Sequence, residues 1–129
     1  MGKSNLFQRI GGLEGTTRIA LSLYDRVMES ERLEPFFAGV DMQRLVDHQA
    51  RFLGSIMGGP DSFTDQELKA VHGPLAIDRE SFREMIAQFR LALEDHDVPS
   101  ADIEIVLADL TKREPCIVTR GKKRSSHVA

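Results

Sequence analysis

The sequence contains a single cysteine, Cys116, no tryptophan and a single tyrosine, Tyr24. One cysteine cannot close an intramolecular disulfide, and the composition fits a reducing compartment. No run of apolar residues approaches the ~20 needed to cross a bilayer. No charged-then-apolar leader pattern opens the chain either, so the expected location is the cytoplasm. An excess of positive charge is also missing. Seventeen Lys and Arg stand against 20 Asp and Glu, a net charge of −3, which leaves no footprint for nucleic acid. The exception is Arg120-Gly121-Lys122-Lys123-Arg124, whose simplest reading is a solvated terminus. Sequence motifs are sparse. There is no His-x-x-x-His zinc helix, no Cys-x-x-Cys and no glycine-rich phosphate loop. Nothing local orients Cys116 toward a catalytic histidine, and the carboxylates are scattered as solvated charges would be.

What is present is helical periodicity. The 129 residues suit one domain, and 41% hydrophobic with 29% charged is ordinary for a globular chain. No segment alternates apolar and polar as a half-buried strand does. Gly11-Gly12 breaks a short first segment, after which Ala20, Leu23, Tyr24, Val27 and Met28 share one helical face. Leu33, Phe36 and Phe37 follow in a short turn or helix around Pro35. Asp41 is positioned to cap a helix with the face Met42, Leu45, Val46, Phe52, Leu53, Ile56 and Met57, which Gly58-Gly59-Pro60 ends. Thr64 and Glu67 form a capping-box pattern opening the next helix, "LKAVHGPL", with Leu68, Val71 and His72. Asp78 opens another, with Phe82, Met85, Ile86, Phe89 and Leu93 inward. Val98-Pro99-Ser100 separates this from a last helix bearing Ile103, Val106, Leu107 and Leu110, which Pro115 ends or kinks. The fold class is all-α, with five or six helices.

Three helices each break their apolar stripe once. Gln49 sits amid Leu45, Val46, Phe52 and Leu53, Tyr24 amid Ala20, Leu23 and Val27, and His72 beside Leu68. A polar group placed inward costs a few kcal/mol unless something satisfies it, roughly 1–3 by mutation. Singly, each has an ordinary explanation: a histidine or glutamine bonded to nearby backbone, a tyrosine packed by its ring. Jointly, Tyr, Gln and His turned inward among seven phenylalanines suit a large apolar cofactor carrying a metal. Haem is the obvious candidate, held by one histidine while the opposite pocket controls a bound gas. His48 lies on the flank of the same face as Gln49.

These residues carry a resemblance. "LFQRIGGLEGT", "LYDRVMESERLEPFFAGVDMQRLVDHQARFLGSIMGGP" and "LKAVHGPLAIDRESF", in that order and separation, resemble the group I truncated haemoglobins over about residues 6 to 115. The resemblance implies a globin-like two-on-two helical sandwich around haem b, with a domain over 1–115 and a flexible tail over 116–129. It implies His72 as proximal iron ligand, Tyr24 as the distal tyrosine that bonds dioxygen and Gln49 as the glutamine completing that network. Leu45 falls nearest the sixth coordination site. Phe37 wedges against the porphyrin, and Phe52 and Leu53 line an apolar wall. Leu68, Val71, Ile77, Phe82 and Met85 are expected to complete the cofactor's surroundings. His48 occupies the position where some members place a sixth iron ligand. Gly73 followed by Pro74 departs from the glycines common there and implies a stiffer proximal loop. Some members also carry a last-helix histidine bonded to a haem vinyl group. That neighbourhood here holds Pro115 and Cys116, and His127 lies too far along, so noncovalent haem is expected.

The functional expectation is reversible binding of O2, CO or NO by a monomer or weak dimer with neither a nucleic-acid partner nor a membrane span. Three alternatives stand beside it. One is iron closed by His48. Another is nitric oxide dioxygenation, yielding nitrate with an external, unidentified reductase, since no flavin or nicotinamide domain is present. The last is a cofactor-free helical interaction module.

Overall fold

The computed structural model describes residues 5–120; residues 121–129, most of the expected tail and of the basic run, lie outside them. Among the described residues the chain forms α1 (Leu6–Arg9), α2 (Gly12–Val27), α3 (Met42–Ile56), α4 (Asp65–His72), α5 (Arg79–Asp95), α6 (Ser100–Thr111) and α7 (Glu114–Ile117), with 3-10 turns at Glu34–Phe37 and Gly73–Leu75. No strand interrupts them; one isolated bridge pairs Ile77 with Val118. The expectation of five or six helices is met by the five longer ones, to which α1 and α7 add single turns.

Helix boundaries follow local chemistry. The capping box closes as expected: Thr64 N donates to Glu67 Oε1 at 2.8 Å and Glu67 N to Thr64 Oγ1 at 3.1 Å. Asp41 accepts from Arg44 N and Asp78 from Ser81 N, so both expected caps form. A second box, Asn5 with Gln8, opens α1.

The core is built from α2 outward. Helix α2 packs against both α3 and α5, and α5 against α6. Ile19, Leu23 and Val27 of α2 meet Leu53 of α3, Leu93 of α5 and Val106 of α6 in one cluster, where each large aliphatic side chain contributes about 1.5–3 kcal/mol. The entry to α2 depends on one missing side chain. A Cβ on Gly15 would lie 1.9 Å from the Ile10 carbonyl oxygen.

The body extends beyond the expected boundary at 115. Proline is tolerated in a first turn, where its missing N–H would have no helical partner. Pro115 therefore opens α7 after α6 has already ended at Thr111. Cys116 and Val118 are buried, and α7 packs against α4 and α5. Residues 116–118 thus belong to the folded body.

Gly15→Ala should lower stability by about 2 kcal/mol or more, as overpacking against fixed backbone does. Gly73→Ala, where a Cβ meets nothing within 4 Å, should leave the melting temperature nearly unchanged. Thermal unfolding of both variants checks the contrast.

Candidate functional site

The last residue of α4 is His72, half-buried. Its Nδ1 lies 2.9 Å from the Leu68 carbonyl oxygen one turn earlier. A carbonyl only accepts, so Nδ1 carries the proton, and in the neutral ring Nε2 keeps its lone pair. Burial pushes the His72 pKa down, the bond to Leu68 opposes this, and the charge of His48 lowers it further. The imidazole is therefore held neutral with its outer nitrogen ready to ligate.

Tyr24 on α2 is 5% exposed. Its hydroxyl donates to Gln49 Oε1 of α3 at 3.3 Å, and its ring meets Phe37 edge-on, centroids 5.5 Å apart. The inward tyrosine and the inward glutamine thus satisfy one another, leaving the Gln49 amide NH2 free of that bond to donate elsewhere. Burial raises the Tyr24 pKa well above the phenol's ordinary value.

His48 precedes Gln49 on α3 but is exposed. Its ring lies edge-on to Phe63, centroids 5.4 Å apart, and Phe63 meets Phe52 in the same way at 5.5 Å. The effect of His48 on both His72 and Glu67 places the flank of α3 within electrostatic reach of α4.

The other expected residues divide by burial. Leu68, Phe52 and Phe82 are buried, and Leu53 is wholly enclosed in the core. Leu45, Phe37, Ile77 and Met85 are half-buried. Val71 is 57% exposed, with Leu75 also exposed. Apolar side chains are thus left partly open on the same segments that carry His72, Tyr24 and Gln49, and exposed apolar surface of this kind suits an apolar group. Two surface hollows, about 470 Å³ between α5 and α6 and about 340 Å³ beside α1, α2 and His96, are lined by none of these residues.

The donor set fits haem better than a bare ion. Among the described residues no three His, Cys, Asp or Glu side chains gather to hold a metal. A metal met by one imidazole needs its remaining ligands from a macrocycle, which the half-open apolar wall suits.

Two participants escaped the sequence reading. Phe63 joins His48 to Phe52; its signal was an apolar residue just before the Thr64 cap with Leu68 at the fourth helical position, the spacing of a hydrophobic staple. Arg113 lies over the Phe52 ring, 5.3 Å from its centroid. Its guanidinium bonds Asp109, and its Nε is buried without a hydrogen-bond partner among the described residues. No local pattern marks Arg113.

The described residues thus form an all-α body that carries one neutral, backbone-bonded imidazole and a buried phenol–amide pair. Comparison with known proteins agrees. The bacterial-like globin family model matches residues 5–118. A group 1 truncated haemoglobin of Mycolicibacterium paratuberculosis is 31% identical over 116 residues, covering 90% of this chain and 85% of that one. Another, from Nostoc sp., is 26% identical, covering 91% and 99%. Among solved structures, the 2/2 haemoglobin of Synechococcus sp., with covalently attached haem, superposes with a TM-score of 0.82 at 23% identity, covering 91% of this chain and all of that one. The truncated haemoglobin of Tetrahymena pyriformis gives 0.78 at 20% identity, over the same shares. At these identities the structural likenesses establish the fold. The chain belongs to the bacterial-like globin family, as a truncated haemoglobin of group I, and is a haem-binding globin.

Tyr24 is the sole tyrosine, so phenolate absorbance reads it alone. Its folded pKa is raised above the model-peptide value of about 10. Between those two values the folded state keeps a proton that the unfolded state has lost. Stability is therefore full below pH ~10 and falls as pH rises above it. An alkaline titration should show phenolate appearing together with loss of helical signal. Phenolate appearing near pH 10 with helicity intact would contradict the burial of this hydroxyl.

Proposed function

We propose that the protein binds a diatomic gas, O2, CO or NO, at haem b held noncovalently by His72. When bound, ferrous haem supplies an open coordination position for such a ligand. The observation that carries this reading is the commitment of His72 Nδ1 to the Leu68 carbonyl, which leaves Nε2 as the ligating atom. Tyr24 and Gln49 then act as donors on the gas side: the buried hydroxyl and the amide NH2 can both turn to a ligand carrying partial negative charge. Leu45, Phe37, Phe52 and Met85, with Leu68, Val71, Ile77 and Phe82, exclude water from the porphyrin, while Leu53 supports that wall from within the core. Hydrogen bonds to charged groups contribute about 1.5–3 kcal/mol. Tyr24→Phe should therefore speed O2 dissociation about tenfold or more, as read by stopped-flow ligand exchange. An unchanged rate would remove Tyr24 from the site.

A second role is supported by the place of His48, next to Gln49 on α3 and held at the surface by an edge contact with Phe63. We propose that His48 swings from its edge contact with Phe63 to serve as a displaceable sixth ligand, so that an incoming gas must first displace it. The reduced, ligand-free protein should then show sharp split visible bands. His48→Leu should replace them with a single broad band, and a spectrum insensitive to that substitution would leave His48 at the surface.

The Tyr24–Gln49 pair also suits oxidation of NO. One NO, one O2 and one electron make nitrate, so turnover needs a reductase as electron donor. Nitrate formed in proportion to added NO by the oxygenated protein supports this use of the site, and none formed restricts it to binding.

A further inference from the structure

The chain behind His72 is held by an unusual set of contacts. His72 is followed by the 3-10 turn Gly73–Leu75 and then by Ala76 at φ +53°, a left-handed conformation that alanine adopts at a cost and keeps only where neighbouring structure enforces it. Core packing does not enforce it, because Pro74, Leu75 and Ala76 are all exposed. Besides the turn bond from Ala76 N to the Gly73 carbonyl, hydrogen bonds from residues 119–120 hold both of its flanks. Thr119 Oγ1 donates to the Gly73 carbonyl at 3.3 Å. Thr119 N and Arg120 N both donate to the Ile77 carbonyl, at 3.0 and 3.1 Å. Val118, itself buried, pairs with Ile77 as a parallel bridge, and α7 anchors this segment against α4. Among the described residues, every hydrogen bond reaching 73–77 from a distant part of the chain starts at Thr119 or Arg120.

We infer that residues 118–120 form a strap that positions the proximal histidine. The strap grips both ends of the loop, Gly73 directly after the imidazole and Ile77 directly before the α5 cap. It thereby fixes where α4 stops and how far the His72 ring can tilt about its bond to Leu68. Thr119 is a positioning residue: it touches neither cofactor nor ligand, and acts through Gly73. The inference rests on His72 being the proximal ligand.

The test is resonance Raman spectroscopy of the ferrous holoprotein immediately after photolysis of bound CO, when iron is five-coordinate whatever else can bind it. The readout is the iron–histidine stretching band. Thr119→Val, which removes the hydroxyl at constant volume, should shift and broaden this band, and Thr119→Ser should restore it. Arg120→Pro, which removes one donor to Ile77, should move it as well. Thr111→Val deletes a similar hydroxyl bond, to the Leu107 carbonyl at 2.7 Å, away from the loop; it should leave the band unmoved. A wild-type band unchanged in Thr119→Val and Arg120→Pro overturns the strap while leaving His72 as ligand. A band absent from the wild type, or persisting in His72→Gly, overturns the ligand assignment itself.

Discussion

An imidazole can serve as a metal ligand when one nitrogen is occupied and the other is left with its lone pair. The 2.9 Å contact between His72 Nδ1 and the Leu68 carbonyl does this, and much of the local structure serves to hold it. Helix α4 is only eight residues long, too short to persist alone, since isolated helices below ~12 residues are marginal in water. Its start is fixed by the reciprocal Thr64–Glu67 box and its end by the strapped loop. Burial of Leu68 and the packing of α7 seat it on the body. Weakening any of these frees the ring that Leu68 orients.

The Tyr24–Gln49 pair is built by the opposite means. Tyr24 and Gln49 come from long helices packed directly on one another, and their hydrogen bond removes much of the cost of two inward polar groups. Because Tyr24 is almost wholly enclosed while Gln49 is half-buried, the pair is polar at its open edge and fixed at its closed one. Phe37 braces the phenol from the turn after α2. The two sides thus differ in construction: a phenol–amide pair held between two long helices, and a short, clasped helix that orients one imidazole.

How much of this was legible in the sequence depended on range. Caps at Asp41, Thr64 and Asp78 were readable because their partners lie three residues away. Tyr24, Gln49 and His72 stood out because each broke a helical stripe, and the stripe is a local property. Contacts between distant segments left no such trace. The Ile77–Val118 pairing, the Thr119 bond to Gly73 and the stacking of Arg113 on Phe52 depend on where α7 lands. Pro115 pointed to a helix end without saying that another turn would begin there, so the body was expected to stop too early. His48 reads as lying on the flank of its helical face, whereas its Phe63 neighbour comes from the 58–64 connection, which has no periodicity to read.

The most direct test of the central claim is a haem titration of the protein and of His72→Gly, followed by visible spectroscopy of the reduced, CO-bound form, with and without added imidazole. The expected result is one haem per chain with a histidine-ligated spectrum, lost in His72→Gly and recovered when imidazole fills the gap. A His72→Gly protein with the wild-type spectrum before imidazole is added would contradict it, and would place the iron on another side chain.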